Sequence, residues 1–253
     1  MLQAERRNNI IEILNKDGKV VIDDLAKKFN VSEMTIRRDL QYLEEQQLIT
    51  RTHGGAILHN LLIEEIPYTK KAEQNICEKQ EIGKYASSLV KEGDIILLDA
   101  GTTNMEIAKG IVGIKNIKIV TNDLMIGAFL SKYEGIQVYC VGGLIQKNTG
   151  ACLGNKAVEF LKSINADIAF VGTSSVNIEK GITTPSMDKA EWKKQMISSA
   201  ERSILVTDSL KFGKSSFVNI CALDKFSLII TDKNLDKDIQ IELENLNIEI
   251  KLV

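Results

Sequence analysis

Apolar residues recur along this chain with two different periods, and the change of period divides it. Over the first sixty residues the spacing is helical. Ile10, Ile11 and Leu14 mark one face of a helix over residues 4–15, and Asp17-Gly18 ends it. Val20 to Ile22 reads as a brief extended piece. Leu25, Ala26 and Phe29 give the buried face of a second short helix over residues 24–29, with a tight turn at Asn30-Val31. Ser32 is a good N-cap for a third helix, and Val31 and Ile36 occupy the positions of a hydrophobic staple. Ile36, Leu40 and Leu43, spaced i, i+4, i+7, form its buried stripe. Residues 48–58, LITRTHGGAIL, are two β-prone runs around His53-Gly54-Gly55, the pattern of a hairpin. Three helices and a hairpin, in this order, predict a winged helix-turn-helix over residues 1–58.

Residues 59–74, HNLLIEEIPYTKKAEQ, contain Pro67 and no sustained period, and read as a linker leading into a helix. From residue 75 to 253 short apolar runs alternate with helical patterns. Seven strands are expected: 94–99, 117–121, 136–141, 166–172, 203–207, 226–231 and 248–253. The alternation predicts an α/β domain with a mostly parallel sheet, in which ligands bind at the carboxyl ends of the strands.

Composition narrows the picture. No apolar run is long enough to span a bilayer and the first residues have no apolar signal core, so a cytoplasmic chain with no membrane partner is expected. The four cysteines form no CxxC and are expected as reduced, buried small hydrophobes. Net charge, −2, says nothing of nucleic acid, but its distribution does. Five of the six arginines, Arg6, Arg7, Arg37, Arg38 and Arg51, precede residue 52, and their planar forks suit phosphates and guanine edges. These arginines are expected to serve one surface that meets DNA. His53 and His59 have no partners at ligand spacing, and no metal is expected.

With Ile36, Leu40 and Leu43 buried, Glu33, Met34, Arg37, Arg38 and Gln41 face outward on the third helix. Ser32, Thr35 and Arg51 are placed to hold phosphates, which fix register without reading sequence. Arg37 and Arg38 suit either guanine edges or phosphates. Asp39 either orients an arginine or stays solvated, and His53 belongs to the turn near the DNA backbone. In the second domain ILLDAGTTNMEIA places Asp99 after a buried strand and Gly101-Thr102-Thr103 at a helix start, a natural anion site. The next strands end in Thr121-Asn122 and Gly142-Gly143. DSLKFGKSS follows another strand, and Asp188, Glu191 and Lys194 fall on a helix. Each piece alone fits a cap, a turn or a surface pair, and Trp192 fits a packing residue. Several such loops at successive strand ends point to an anion-binding cleft. Neither a P-loop nor a dinucleotide fingerprint is present.

Residues 6–57, through DDLAKKFNVSEMTIRRDLQYLEEQQLITRTHGGA, resemble the N-terminal domain of the DeoR-type bacterial transcriptional regulators. DAGTTNMEIA, VTND, VGGL and DSLKFG resemble the sensor domain of the same family, similar in fold to ribose-5-phosphate isomerase and coenzyme A transferases. The resemblance implies a repressor of carbohydrate genes that binds operator DNA as a homo-oligomer, dimer or tetramer, controlled by a phosphorylated sugar effector with no other cofactor. By motif, Asp99, Gly101, Thr102, Thr103, Thr121, Asn122, Gly142, Gly143 and Lys211 are the expected effector contacts, with Glu191 and Lys194 beside them. The rival expectation is a sugar-phosphate isomerase or transferase with a DNA-binding head, using Asp99, Glu191 and Lys211 as acid–base groups. The chain departs from the family pattern at Val21, where a helix cap is usual, at Gln47, where glycine is usual, and at Ser174-Ser175.

Overall fold

The computed structural model describes residues 2–17, 19–46, 48–52, 54–58 and 67–253. The chain divides into two compact units, residues 1–64 and 65–253.

In the first unit α1 (Gln3–Asp17) leads through β1 (Lys19–Val21) to α2 (Ile22–Phe29), α3 (Glu33–Glu45) and a hairpin of β2 (Ile49–Thr52) and β3 (Gly55–Leu58). The extended piece expected before the second helix is the third strand of the wing, in the order β1-β3-β2, all antiparallel. Ile10, Leu14, Leu25, Ile36, Leu40, Leu43 and Ile49 close the core between helices and hairpin. Val21 precedes α2 with no side-chain cap, as its sequence departure implies. Asn30 ends α2 in the left-handed conformation at φ 50°, which sets the tight turn into α3.

The second unit is built on seven parallel strands: β4 (Ile95–Leu98), β5 (Ile117–Thr121), β6 (Ile136–Cys140), β9 (Ala166–Val171), β12 (Ala200–Val206), β14 (Leu228–Thr231) and β15 (Ile250–Leu252). All seven expected strands are present. Their order is β15-β14-β12-β9-β4-β5-β6. Alternate side chains feed two cores, because successive residues of a strand point to opposite faces. Ile96, Leu98, Ile119, Phe170 and Ile204 pack beneath α5 (Ile76–Ser87), α6 (Thr102–Gly110) and α7 (Leu124–Leu130). Leu97, Val120, Val171, Leu205 and Ile229 pack beneath α8 (Asn155–Lys162), α9 (Met187–Ser198) and α10 (Lys237–Asn245).

The chain lays down β4, steps outward to β5 and β6, then returns to the other side of β4 with β9 and continues through β12. Connections therefore leave β4 and β9 in opposite directions, the switch point at whose carboxyl ends sheets of this kind hold their crevice. Two small antiparallel pieces went unread in the sequence, β7 (Leu144–Ile145) with β8 (Cys152–Leu153), and β10 (Ser175–Asn177) with β11 (Gly181–Thr184) and β13 (Val218–Cys221). The first, Leu-Ile against Cys-Leu, is too short to show a period, and the second sets serine, threonine and asparagine where apolar alternation would be read. Ser175, Thr183 and Ser216 instead bond to one another in the interior, at 2.8 Å and 2.6 Å from the Ser175 Oγ. The short helix α4 (Tyr68–Glu73) occupies part of the expected linker. Of the four cysteines only Cys152 is buried, while Cys77 and Cys140 are exposed, which corrects the expectation for those two.

Candidate nucleic-acid interface and anion cleft

The surface of α3 is set by its cap and its stripe. Ser32 Oγ accepts the Thr35 N–H at 3.2 Å and lies 2.9 Å from the Thr35 hydroxyl. Glu33, Met34, Arg37, Arg38 and Gln41 all face solvent. Arg37 donates to Glu33 at 3.4 Å, and Gln41 to Glu45 at 3.0 Å. On the hairpin, Arg51 donates its N–H to Glu44 at 3.0 Å and holds its guanidinium 3.8 Å from the same carboxylate. His53 and His59 lie outside the described residues, as does Gln47.

Asp39 does orient arginines, but on α1 rather than α3. Its buried carboxylate accepts from Arg6 Nε at 2.6 Å and Arg7 Nε at 3.0 Å. The Arg7 guanidinium also lies over the Tyr42 ring, 3.6 Å from its centre. The expectation that all five early arginines serve the DNA surface is thus corrected. Arg6 is only 6% exposed, because the carboxylate on the inner side of α3 draws it into the packing of α1.

In the second unit the switch-point crevice is held by Asp99. This carboxylate, buried at the end of β4, is paired with Lys193 of α9 and accepts the N–H groups of Ala100 at 2.9 Å and Gly172 at 3.0 Å. Lys193 also donates to the Gly172 carbonyl at 2.8 Å, so the ends of β4 and β9 are locked to α9. Gly101 begins α6 at φ 144°, a conformation that favours glycine, and no side chain caps this helix. Its first turn, with Thr102 and Thr103 half-buried, leaves N–H donors toward the crevice. At the neighbouring β5 end, Asp123 caps α7 through Met125 at 2.8 Å and Ile126 at 3.2 Å and accepts from Gly101 at 3.1 Å. Burial pushes the Asp123 carboxyl up from its ordinary range, and these three N–H bonds oppose the shift. Thr121 and Asn122 are buried beside it. Asn122 donates to the Cys152 carbonyl at 3.0 Å, but its Oδ1 has no partner among the described residues, and neither has the Oδ1 of Asn104 on α6.

A lysine cluster flanks the crevice at the end of β12. Lys79 of α5, 6% exposed, donates to the carbonyls of Lys71 and, at 2.6 Å, Gln74. Burial pulls its ammonium down to about 8, Asp208 opposes the shift, and Lys211 and Lys71 add to it. Lys214 is likewise lowered to about 8, by burial and then by Lys211, again against Asp208. Asp208 accepts from Asn75 at 3.1 Å, and Asn75 sits at φ 49° between α4 and α5. At its other end α4 donates the Tyr68 N–H to the Asn148 carbonyl at 2.8 Å. The Tyr68 hydroxyl is raised to about 12 by burial and by Asp123 and Glu106. The segment from Tyr68 to Asn75 thus runs from the β7–β8 loop to the β12 loop.

Asp99, Gly101, Thr102, Thr103, Thr121 and Asn122 therefore gather at the ends of β4 and β5, and Lys211 at the end of β12. Gly142 and Gly143 are exposed after β6. A Cβ at Gly143 would collide with the Leu153 carbonyl, so hairpin packing explains that glycine. Glu191 and Lys194 bond to each other at 3.0 Å on the exposed side of α9. At about 100° per residue, Glu191 lies roughly opposite Lys193, and it is Lys193 that reaches Asp99. Asp188 is exposed and Trp192 is core. Sequence reasoning missed Lys79, Lys193, Lys214 and Asn104. A signal existed for two of them. Lys79 falls on the stripe of Ile82 and Ala86, and Lys193 on that of Ala190 and Met196, and a lysine on an apolar stripe needs a partner. Among the described residues no cluster of metal-ligating side chains occurs, and no helix is long and apolar enough to cross a membrane.

Residues 6–60 match the DeoR-like helix-turn-helix domain, and residues 74–233 the DeoR C-terminal sensor domain. The chain is 38% identical over its whole length to an HTH-type transcriptional regulator of Haemophilus influenzae, covering 98% of it. It is 31% identical to a putative aga operon transcriptional repressor of Escherichia coli O157:H7, with 99% of this chain and 94% of the relative aligned. Ribose 5-phosphate isomerase A from Neisseria gonorrhoeae is a distant structural neighbour, with a TM-score of 0.40 at 17% identity over 54% of this chain and 53% of that one.

Proposed function

Because this chain belongs to the DeoR family of HTH-type transcriptional regulators, we propose that it is a repressor whose operator affinity is set by a phosphorylated sugar. Residues 1–58 bind operator DNA, and residues 75–253 hold the effector. A homo-oligomer, dimer or tetramer, presents paired copies of α3 to operator half-sites. Ser32, Thr35 and Arg51 hold phosphates, His53 is a further phosphate contact proposed from the sequence, and Glu33, Met34, Arg37, Arg38 and Gln41 form the face toward the groove.

The observation that carries the effector reading is the charge balance at the end of β12. Lys79, Lys211 and Lys214 lie around Asp208, with Glu106 of α6 as the second carboxylate acting on Lys79, so the lysines still outnumber the carboxylates. A phosphate group supplies the missing negative charge. The Oδ1 atoms of Asn104 and Asn122 are buried and have no partner among the described residues; turned toward the crevice they accept hydroxyls, which a sugar carries and inorganic phosphate lacks. Asp99, already bonded to Lys193 and two N–H groups, keeps the loops in place. Differential affinity of the effector for the two states of the regulator shifts operator binding, and operator DNA shifts effector affinity by the same factor.

The test is fluorescence anisotropy of the full chain on duplex DNA from upstream of its own gene, across a panel of sugar phosphates. Salt-sensitive binding that one compound changes, and that inorganic phosphate changes less, is the expected result. Turnover of a sugar phosphate, lost in Glu191→Gln, would support the isomerase reading instead.

A further inference from the structure

Arg37 and Arg38 are neighbours on one exposed helix face, yet they stand in different electrostatic surroundings. Arg37 lies on the ridge of Glu33, Gln41 and Glu45, spaced four residues apart. Within that ridge Arg37 donates to Glu33 at 3.4 Å, and Gln41 to Glu45 at 3.0 Å. Arg38 lies on the adjacent ridge with Met34 and Tyr42. Among the described residues it makes no hydrogen bond or ion pair, and it is exposed.

A carboxylate beside a guanidinium changes what that guanidinium can bind. Wherever Arg37 reaches, Glu33 arrives one helical turn away. Against a phosphate the Glu33–Arg37 pair carries no net charge, Glu33 repels the anion, and little counterion is released; Glu44 differs, since it already accepts the Arg51 backbone N–H at 3.0 Å and lies 3.8 Å from the Arg51 guanidinium without a hydrogen bond to it. Against base edges in the major groove the same pair is complementary. A guanidinium donates to O6 and N7 of guanine, and a carboxylate accepts from N4 of cytosine. Both side chains are exposed on one ridge of α3 and within reach of each other, so they can meet neighbouring base edges of one groove.

We propose that Glu33 and Arg37 act as one reading unit for a guanine in one base pair and a cytosine in the next, while Arg38 neutralises a backbone phosphate. The inference rests on α3 facing operator DNA, and it assigns separate tasks to two arginines that are adjacent in sequence.

Selection of binding sites from a random duplex library by the full chain, repeated with three variants, tests the assignment. The unaltered chain should enrich a motif with adjacent cytosine and guanine. Glu33→Ala should lose preference at the cytosine position alone, and Arg37→Ala at the guanine. Exchange of either base pair should weaken binding of the unaltered chain about 5- to 150-fold. Arg38→Ala should keep the motif, weaken all sequences alike, and lower the slope of log affinity against log salt by about one. Arg37→Ala should lower that slope by less than half as much. Thermal unfolding of each variant separates these effects from loss of fold, and a change of motif without loss of affinity is one that misfolding does not produce. An equal drop in slope for Arg37→Ala with an unchanged motif, or an unchanged motif for Glu33→Ala, overturns the proposal. If the unaltered chain enriches no motif, the operator-binding reading fails with it.

Discussion

The exposed face of α3 and the crevice at the end of the sheet both use cations, but they hold them in opposite ways. On the first unit the cations are arginines of α3 and the hairpin, and two of the surface guanidiniums, Arg37 and Arg51, already lie near carboxylates. In the crevice they are lysines brought from α5 and the β12 loop, sunk far enough that Lys79 and Lys214 fall to about 8. An arginine keeps its charge in any setting, so a surface built from it is ready before a partner comes. A buried lysine is poised to lose its proton, and an arriving anion restores the charge. The first surface is fixed in charge, and the charge of the second depends on its surroundings.

The sharpest way to break this contrast is through the buried anchor of each unit. Asp39→Ala leaves Arg6 and Arg7 against each other with no carboxylate between them. Loss of one partner of a buried pair costs about 3–5 kcal/mol. The only tryptophan, Trp192, lies in the second unit, so it reports that unit alone. In denaturant the variant should show an early loss of helical circular dichroism, while Trp192 fluorescence changes at its original midpoint.

A change of pH should act on the crevice and spare α3. Free lysine titrates near 10.5, so between about 8 and 10.5 the unfolded chain retains protons that folded Lys79 and Lys214 have released. Stability of the second unit therefore rises with pH across that window. Anion affinity moves the other way. Above pH 8 binding of a sugar phosphate should weaken by about tenfold per pH unit for each of these lysines that must be charged. Calorimetric titration between pH 7 and pH 9 reads this directly, and a flat profile would remove both lysines from the site. Operator contacts made by arginine should show no such step over the same range.

The smallest effect sharpens the picture of α3. Ser32→Ala removes the oxygen that accepts the Thr35 N–H and should lower the stability of the first unit by about 1 kcal/mol. Ser32→Asp, which restores an acceptor, should recover that stability yet still weaken DNA binding, because it sets a carboxylate against a phosphate.

The same contrast explains what could be read from the sequence. The periods of 3.6 and 2 located α3 and all seven parallel strands, since each depends only on neighbours along the chain. The outward residues of α3 followed from its stripe. The crevice was legible only where a short segment carries its own meaning, as in DAGTTNME or DSLKFG. Lys193 reaches Asp99 across 94 residues, and Asn75 reaches Asp208 across 133. No local pattern holds such a pairing, and the spacing that points to Glu191 and Lys194 does not reveal that Lys193 is the lysine turned inward. Asp39 shows the same limit on a smaller scale. Its acidic character was plain, but its partners on α1 lie 32 and 33 residues away.

The pairing of Asp39 with Arg6 and Arg7 has a further consequence for anyone who would engineer new DNA specificity. The recognition helix is not a detachable cartridge. Grafted alone into another scaffold, α3 would carry a bare carboxylate on its inner face, in the middle of the host's core. A transplant that keeps its footing must take the first two turns of α1 along with it, and the smallest portable unit of this reader is two helices clasped by one acid.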